Sequence, residues 1–326
     1  IMRNDMNWIR VRSSLLYFFY VVIMAVLILE IILRFIPPIS TGTGTGIGKA
    51  WFEKYWHPIN QQGYRDKEVE LSSTKKLIIA VGDSFTAGHG VLADETYAAR
   101  LRKKFEPTHD LVNLGNPGAS TLDEHKNFVR FLEEFKKFPD VVVYQYYGND
   151  IEKLAEVTKC FSLLKKNAFD KELIKVSYLY AAFYSLVLTK DFSSCYQTNL
   201  EKAYHDQSIF NTHRNEIRDF LSAMRSEDNR IIFVAFPFLN NDQVLLKSQD
   251  IYISDLRKEF LNYCNDGDWF YDPSVAASNI DTNNRLASFI DAHPSALIHV
   301  VVATDISRLI LAEENEAVVD GAIRCN

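Results

Sequence analysis

Residues 76–90 read KLIIAVGDSFTAGHG. The run from Leu77 to Ala80 is apolar without alternation, which fits a strand buried on both faces. It gives way to Gly82-Asp83-Ser84, with Gly88 and Gly90 close behind. A serine in such a strand-to-helix turn is either a turn former or an exposed nucleophile. The decision rests on whether the chain supplies a base and an orienting acid for it elsewhere.

Working outward, four more short runs have the same character: LVNLG (111–115), DVVVYQYYG (140–148), RIIFVAF (230–236) and WFYD (269–272). Helical stretches separate them. The clearest is 121–137, where Thr121 and Glu124 fit a capping box and Phe128, Phe131, Leu132 and Phe135 recur at helical spacing. Strands alternating with helices predict a parallel sheet covered on both faces, so the chain from Lys75 onward reads as a three-layer α/β domain. In such sheets chemistry gathers at the carboxyl ends of the strands. Four polar motifs fall there or near the C-terminal helix: GDS (82–84), GNPGAS (115–120), GND (148–150) and DAHP (291–294).

Together these motifs hold the parts of an acyl-transfer site. A serine hydroxyl needs a base within hydrogen-bond reach, and His293 can serve Ser84. Asp291, two residues earlier, can hold the imidazole in the required tautomer. The backbone N–H groups of Ser84 and Gly118 and the side-chain amide of Asn149 can receive the developing oxyanion. Asp83 reads as a structural hydrogen-bonder of the turn, His299 as a packing residue of the last helix, and His89 as a neighbour of the serine loop.

In this order and at this spacing, Gly82-Asp83-Ser84, Gly118, Gly148-Asn149-Asp150 and Asp291-Ala292-His293 resemble the SGNH (GDSL-type) hydrolase superfamily over about residues 51 to 326. NQQGYRDKE (60–68), NLGNPGAST (113–121) and HPSALIHVVVA (293–303) look like a membrane-anchored or secreted subgroup, often linked to acylation or deacylation of surface glycans. The resemblance implies a flavodoxin-like fold with a parallel sheet of about five strands. It also implies Ser84 as nucleophile, His293 as base with Asp291, and Ser84, Gly118 and Asn149 as the oxyanion hole, with no metal and no cofactor. The chain departs from many members in having Asp-x-His rather than Asp-x-x-His, and Ile298 where a glycine is common.

Composition bounds the rest. Among 326 residues, 36 Lys and Arg stand against 42 Asp and Glu, a net charge of −6, with no basic footprint for nucleic acid. There is no HExxH or clustered carboxylate spacing, and TGTGTGIGK (41–49) lacks the preceding strand of a phosphate-binding loop.

Residues 13–36, SSLLYFFYVVIMAVLILEIILRFI, carry charge only at Glu30 and Arg34 and are long enough to cross a bilayer. Glu30 and Arg34 lie four residues apart in the favourable order for a local ion pair. Arg3, Arg10 and Arg12 precede the segment, so the positive-inside rule places the N-terminus (1–12) in the cytoplasm and the rest outside, periplasmic or at the cell surface. The segment exceeds a signal-peptide core and reads as an uncleaved signal anchor in contact with membrane lipid, with an integral membrane partner as the further candidate contact. Pro37 and Pro38 then open a flexible linker (37–50) before the extracytoplasmic domain (51–326).

All four cysteines fall on the outer side, where disulfides form. Three pairings are possible. Cys160 with Cys195 and Cys264 with Cys325 is the favoured one, with free buried thiols as the alternative. The stretch 173–189, LIKVSYLYAAFYSLVLT, is apolar nearly all round. It reads as a buried helix, or else as a lid or a surface facing membrane or partner.

Three functions fit this sequence. One is an esterase acting through acyl-Ser84 on O-acyl (acetyl first) esters of a carbohydrate or lipid. The others are an O-acyltransferase of surface glycans working with a membrane partner, and a non-enzymatic subunit of a membrane complex that keeps the fold.

Overall fold

The structure, a computed structural model, describes residues 2–41, 47–164, 167–184, 187, 190–239, 243–312 and 319–325. Five parallel strands form the centre: β1 (Lys76–Val81), β2 (His109–Asn113), β3 (Val141–Tyr146), β4 (Arg230–Ala235) and β5 (Trp269–Tyr271). Their order is β2-β1-β3-β4-β5. A short antiparallel strand, numbered β8 in chain order (Ala322–Arg324), adds a sixth at the β5 edge. The strand runs are buried almost throughout, because helices cover both faces of a parallel sheet.

One face packs under α5 (Thr121–Phe135), α8 (Lys190–His205), α9 (Gln207–Met224) and α10 (Gln243–Tyr263), through side chains such as Phe128, Tyr204, Phe220 and Phe260. The opposite face packs under α4 (Tyr97–Phe105) and α12 (Ala296–Leu311), through Tyr97, Leu101, Val302 and Ile306. Successive strand residues supply the two cores alternately: Leu77, Ile79 and Val81 to the first, Ile78 and Ala80 to the second. This is the three-layer α/β fold that the alternation of runs predicts.

Several local readings shift. The α5 cap is Ser120 with Asp123, one residue before the predicted pair, since Thr121 already has helical backbone. Both favoured disulfides are present, Cys160–Cys195 and Cys264–Cys325. The second joins the end of α10 to the chain just past β8. The apolar stretch 173–189 is not one core helix: within its described part α6 (Ala168–Val176) breaks at Ser177 and α7 (Tyr178–Phe183) follows, with Val176 and Phe183 exposed.

At the N-terminus α1 (Met2–Phe35) contains the window Arg12–Phe35, the one helix among the described residues long and apolar enough to cross a membrane. The Glu30–Arg34 ion pair forms at 3.1 Å. The flanks of the predicted flexible linker are packed: Ser40 is 3% exposed, and α2 (Ile47–Tyr55) buries Trp51. Residues 42–46 of that linker lie outside the described residues.

Candidate active site

β1 delivers Ser84 at its carboxyl end. The strand stops because Asp83 turns the chain and caps α3 (Ser84–Ala87), its carboxylate accepting from Phe85 N at 2.9 Å, and Gly88 closes the helix in the left-handed region at φ 74°. Gln145, the polar residue in the otherwise apolar β3 run, holds the turn from the next strand. Its Oε1 accepts from Asp83 N and Thr86 N, both at 3.2 Å, and from Thr86 Oγ1 at 2.8 Å. Burial, first among the causes, raises the Asp83 carboxyl above its ordinary range.

The candidate base, His293, arrives 209 residues later. A two-stranded hairpin pairs β6 (Leu286–Ser288) with β7 (Asp291–Pro294). Residues two apart in a strand point to one face, so the two-residue Asp-x-His spacing places both side chains together. His293 Nε2 lies 2.9 Å from Ser84 Oγ, and His293 Nδ1 lies 2.5 Å from Asp291 Oδ1. The hydroxyl can therefore donate to Nε2 only in the tautomer whose Nδ1–H donates to Asp291. Burial raises the Asp291 carboxyl, but the bonds from His293 and Ser40, with the nearby charge, outweigh it and leave the group well below the ordinary carboxylate range.

The oxyanion candidates sit on the two neighbouring strand ends. Beyond β2, Asn116 N donates to Gly82 O at 3.0 Å, tying the 115–119 turn to the serine turn. Gly115 fits there because a Cβ would lie 2.2 Å from Ala87 N, and Gly118 adopts φ +74° with open space where a Cβ would point. Beyond β3, the Asn149 amide lies against the Asp83 carboxylate and offsets a small part of the rise that burial imposes on it. Ser84, Gly118 and Asn149 thus come from adjacent strands β1, β2 and β3, as expected of donors grouped round one carboxyl end.

Ser40 and Ser288 lie beyond the sequence reading, which places His89 only as a neighbour of the serine loop. Ser40 Oγ donates to Asp291 Oδ2, and Ser288 Oγ donates to Ser40 O at 2.7 Å. No sequence signal links Ser40 to an acid 251 residues away. His89 is buried, its ring stacked on that of His293 with centroids 4.0 Å apart and planes 4° apart. Trp51, Phe52 and Trp56 enclose its other sides. This apolar cage, with the neighbouring His293, pushes the His89 imidazole down to about 3, so it stays neutral at neutral pH. His299, read as a packing residue, is fully buried on α12 and accepts from Tyr97 N at 3.1 Å.

Within this set His89, Asp291 and His293 each offer a ligand atom, all within 4.8 Å of one another. Imidazole lone pairs lie in the ring plane, so two rings stacked in parallel do not aim at a common point. His293 is already engaged at both nitrogens, and the arrangement suits a supported base better than a cation site.

The model of one protein family, GDSL-like Lipase/Acylhydrolase, matches residues 78–306, the span that holds all of these strand-end motifs. The chain belongs to that family. As a GDSL-type protein it is a serine hydrolase, and the two-residue Asp-x-His spacing keeps Asp291 and His293 in contact.

No curated protein matches the chain. Solved structures similar to this GDSL hydrolase include a catalytic mutant of an acetylxylan esterase from Geobacillus stearothermophilus, at 16% identity, covering 76% of this chain and 100% of that one with a TM-score of 0.47. A carbohydrate acetylesterase family member from Sinorhizobium meliloti is similar at 13% identity, covering 72% and 97% with a TM-score of 0.42. A lipolytic protein of the G-D-S-L family from Veillonella parvula is similar at 13%, covering 70% and 94% with a TM-score of 0.41.

Proposed function

We propose that the protein is an esterase that removes O-acyl groups, acetyl first, from a carbohydrate or lipid through an acyl-Ser84 intermediate. The unbroken chain from Ser84 Oγ through His293 to Asp291 carries this reading. As Oγ bonds to the acyl carbon, its proton passes to His293 Nε2. The carbonyl oxygen takes up negative charge, received by the N–H groups of Ser84 and Gly118 and the amide of Asn149. When the adduct collapses, the ester C–O bond breaks and His293 returns the proton to the leaving alkoxide. Water then attacks the acyl carbon with His293 again as base, and the carboxylic acid leaves. Asp291 remains ionised throughout and stabilises the imidazolium. These steps require no cofactor.

In the same reading α1 anchors the enzyme in a membrane with its N-terminus cytoplasmic and residues 51–326 outside. The two disulfides support that side, because they persist in oxidising compartments.

A serine-reactive fluorophosphonate should form one adduct, on Ser84. A folded protein that forms none would sink the enzyme reading and favour a non-enzymatic subunit. Acetate release from an acetylated glycan is then compared with transfer onto a supplied acceptor. Free acetate as the main product, even at saturating acceptor, is the expected result. Transfer as the main product would replace the esterase with an O-acyltransferase fed by a membrane partner.

A further inference from the structure

Between β3 and β4 the chain leaves the sheet for the excursion 156–205, closed by the Cys160–Cys195 disulfide. Its α6–α7 part has a buried cluster of its own made of Ile174, Ala181 and Tyr184. Apolar side chains on its outside remain uncovered: Phe169 is 69% exposed, Val176 61% and Phe183 48%. A water-soluble excursion of this size would turn such residues inward or replace them with polar ones.

The excursion is also fastened to the apolar helix α1. Glu30 accepts from Ser177 Oγ at 2.9 Å, from Tyr178 N at 2.9 Å and from Leu179 N at 3.0 Å, so a carboxylate of one helix caps the start of the other. Arg34 donates to Val176 O at 2.6 Å and lies over the Tyr178 ring, 5.3 Å from its centroid. A carboxylate within an apolar window is disfavoured unless it has partners of this kind. Glu30 is five residues before Phe35, about 7.5 Å along the helix axis at 1.5 Å per residue.

We propose that α6 and α7 form a membrane seat, with Phe169, Val176 and Phe183 inserted into the outer interface of a lipid bilayer. The inference rests on the reading of α1 as a membrane-spanning helix. If α1 spans, the Glu30 clamp puts the start of α7 at the boundary between hydrocarbon and headgroups. The exposed apolar side chains of the seat then continue the exposed apolar surface of α1 itself, which argues for lipid as the occupant. Tyr178, Tyr180 and Tyr184 are the residue type enriched at that boundary. At its base the excursion is tied to the active-site strand end, since Tyr196 Oη donates to Glu152 Oε2 at 2.7 Å, two residues beyond Asp150. The seat thereby sets the orientation of the catalytic domain to the membrane surface.

The test uses the full chain in vesicles of phosphatidylethanolamine and phosphatidylglycerol. A photoreactive benzoylphenylalanine is placed singly at Phe169, at Phe183, at Val22 in α1, or at Phe138, which is exposed beyond α5. Lipid adducts are expected from positions 169, 183 and 22, at least five-fold above position 138. Glu30→Ala should lower the yield at 183 several-fold while leaving that at 22 unchanged. Lipid adducts at 22 but background yields at 169 and 183 would overturn the seat and leave the anchor standing. Background yields at all of 22, 169 and 183 would overturn both readings. Adducts from 169 and 183 to a co-purified integral membrane protein instead of lipid would overturn the lipid seat in favour of a protein partner.

Discussion

The strand ends that carry Ser84, Gln145 and Asn149 and the excursion 156–205 differ in where their stability comes from. At the strand ends backbone and side chains are held from several sides at once: Gln145 grips the serine turn, and the 115–119 turn bonds to Gly82. Arg65, buried and pushed down to about 10 mainly by that burial, donates to the carbonyls of Tyr55, Ala87, Gly88 and Val91. Within the excursion α8 packs into the sheet core through Tyr204, whereas the α6–α7 part depends on a cluster of three buried residues and a clamp to α1. Ser84 and its neighbours are thus held from the interior of the domain, while α6 and α7 are held by contacts to α1.

The sharpest way to break this contrast is to remove chemistry without touching structure. Ser84→Ala is expected to lower kcat toward an aryl acetate by about 10⁴-fold or more with an unchanged unfolding midpoint. A large shift in the midpoint would mean that the hydroxyl also holds the turn.

Cys160→Ser approaches from the other side. Opening the 35-residue separation gives the unfolded excursion about 4 kcal/mol more chain entropy on the loop-closure view. Proteolysis should then cut within 156–205 while aryl-acetate activity survives. Activity lost in step with cleavage would erase the distinction between the two regions.

Asn149→Ala should reduce kcat by about 10²–10³-fold with little change in KM, the usual consequence of losing one oxyanion donor. A change confined to KM would remove Asn149 from the oxyanion hole.

Ser40→Ala takes a hydrogen bond from an ionised carboxylate and is expected to lower kcat about ten-fold, on the order of 1.5 kcal/mol. Its acid limb should move to higher pH, because the donor that helps keep Asp291 ionised is gone. Rescue by Ser40→Thr would support a positioning role, and an unshifted pH profile would count against one.

The last effect is on stability rather than rate and concerns Glu124, fully buried on α5. Burial first, then Asp150 and Asp83, raise its carboxyl well above the usual range. The folded protein therefore keeps a proton that the unfolded chain releases above about pH 4.5, and stability falls as pH rises from there. Glu124→Gln should flatten that decline by up to about 1.4 kcal/mol per pH unit while leaving pH 4 stability similar. Parallel stability curves between pH 4 and 7 would show that the carboxyl is ionised in the fold.

How much of this was legible follows from how far each signal reaches. The five central strands and α5 were readable because burial on both faces, or on one helical stripe, leaves a local pattern of residue types. That Ser84, Asp291 and His293 would meet was readable because a Gly-Asp-Ser turn after a strand and a two-residue Asp-x-His step are local patterns too, and a parallel sheet gathers its strand ends. The broken helix at Ser177 was not: Ser177 caps α7 through Tyr180 N, but that cap is held by Glu30, 147 residues away, and composition alone favoured one continuous buried helix. The packed flank of the linker was hidden for the same reason, since Ser40 is ordered by an acid that only the β6–β7 hairpin brings to it.

By itself the sequence determined the α/β alternation, the long apolar N-terminal helix and the order of the strand-end motifs, all of which are written in periodicity and short spacing. Only the tertiary structure decided that His89 stacks on His293 inside a cage from α2, and that Glu30 joins α1 to the excursion. Those contacts are between side chains far apart in the chain, and their strength depends on burial that no local stretch of residues encodes.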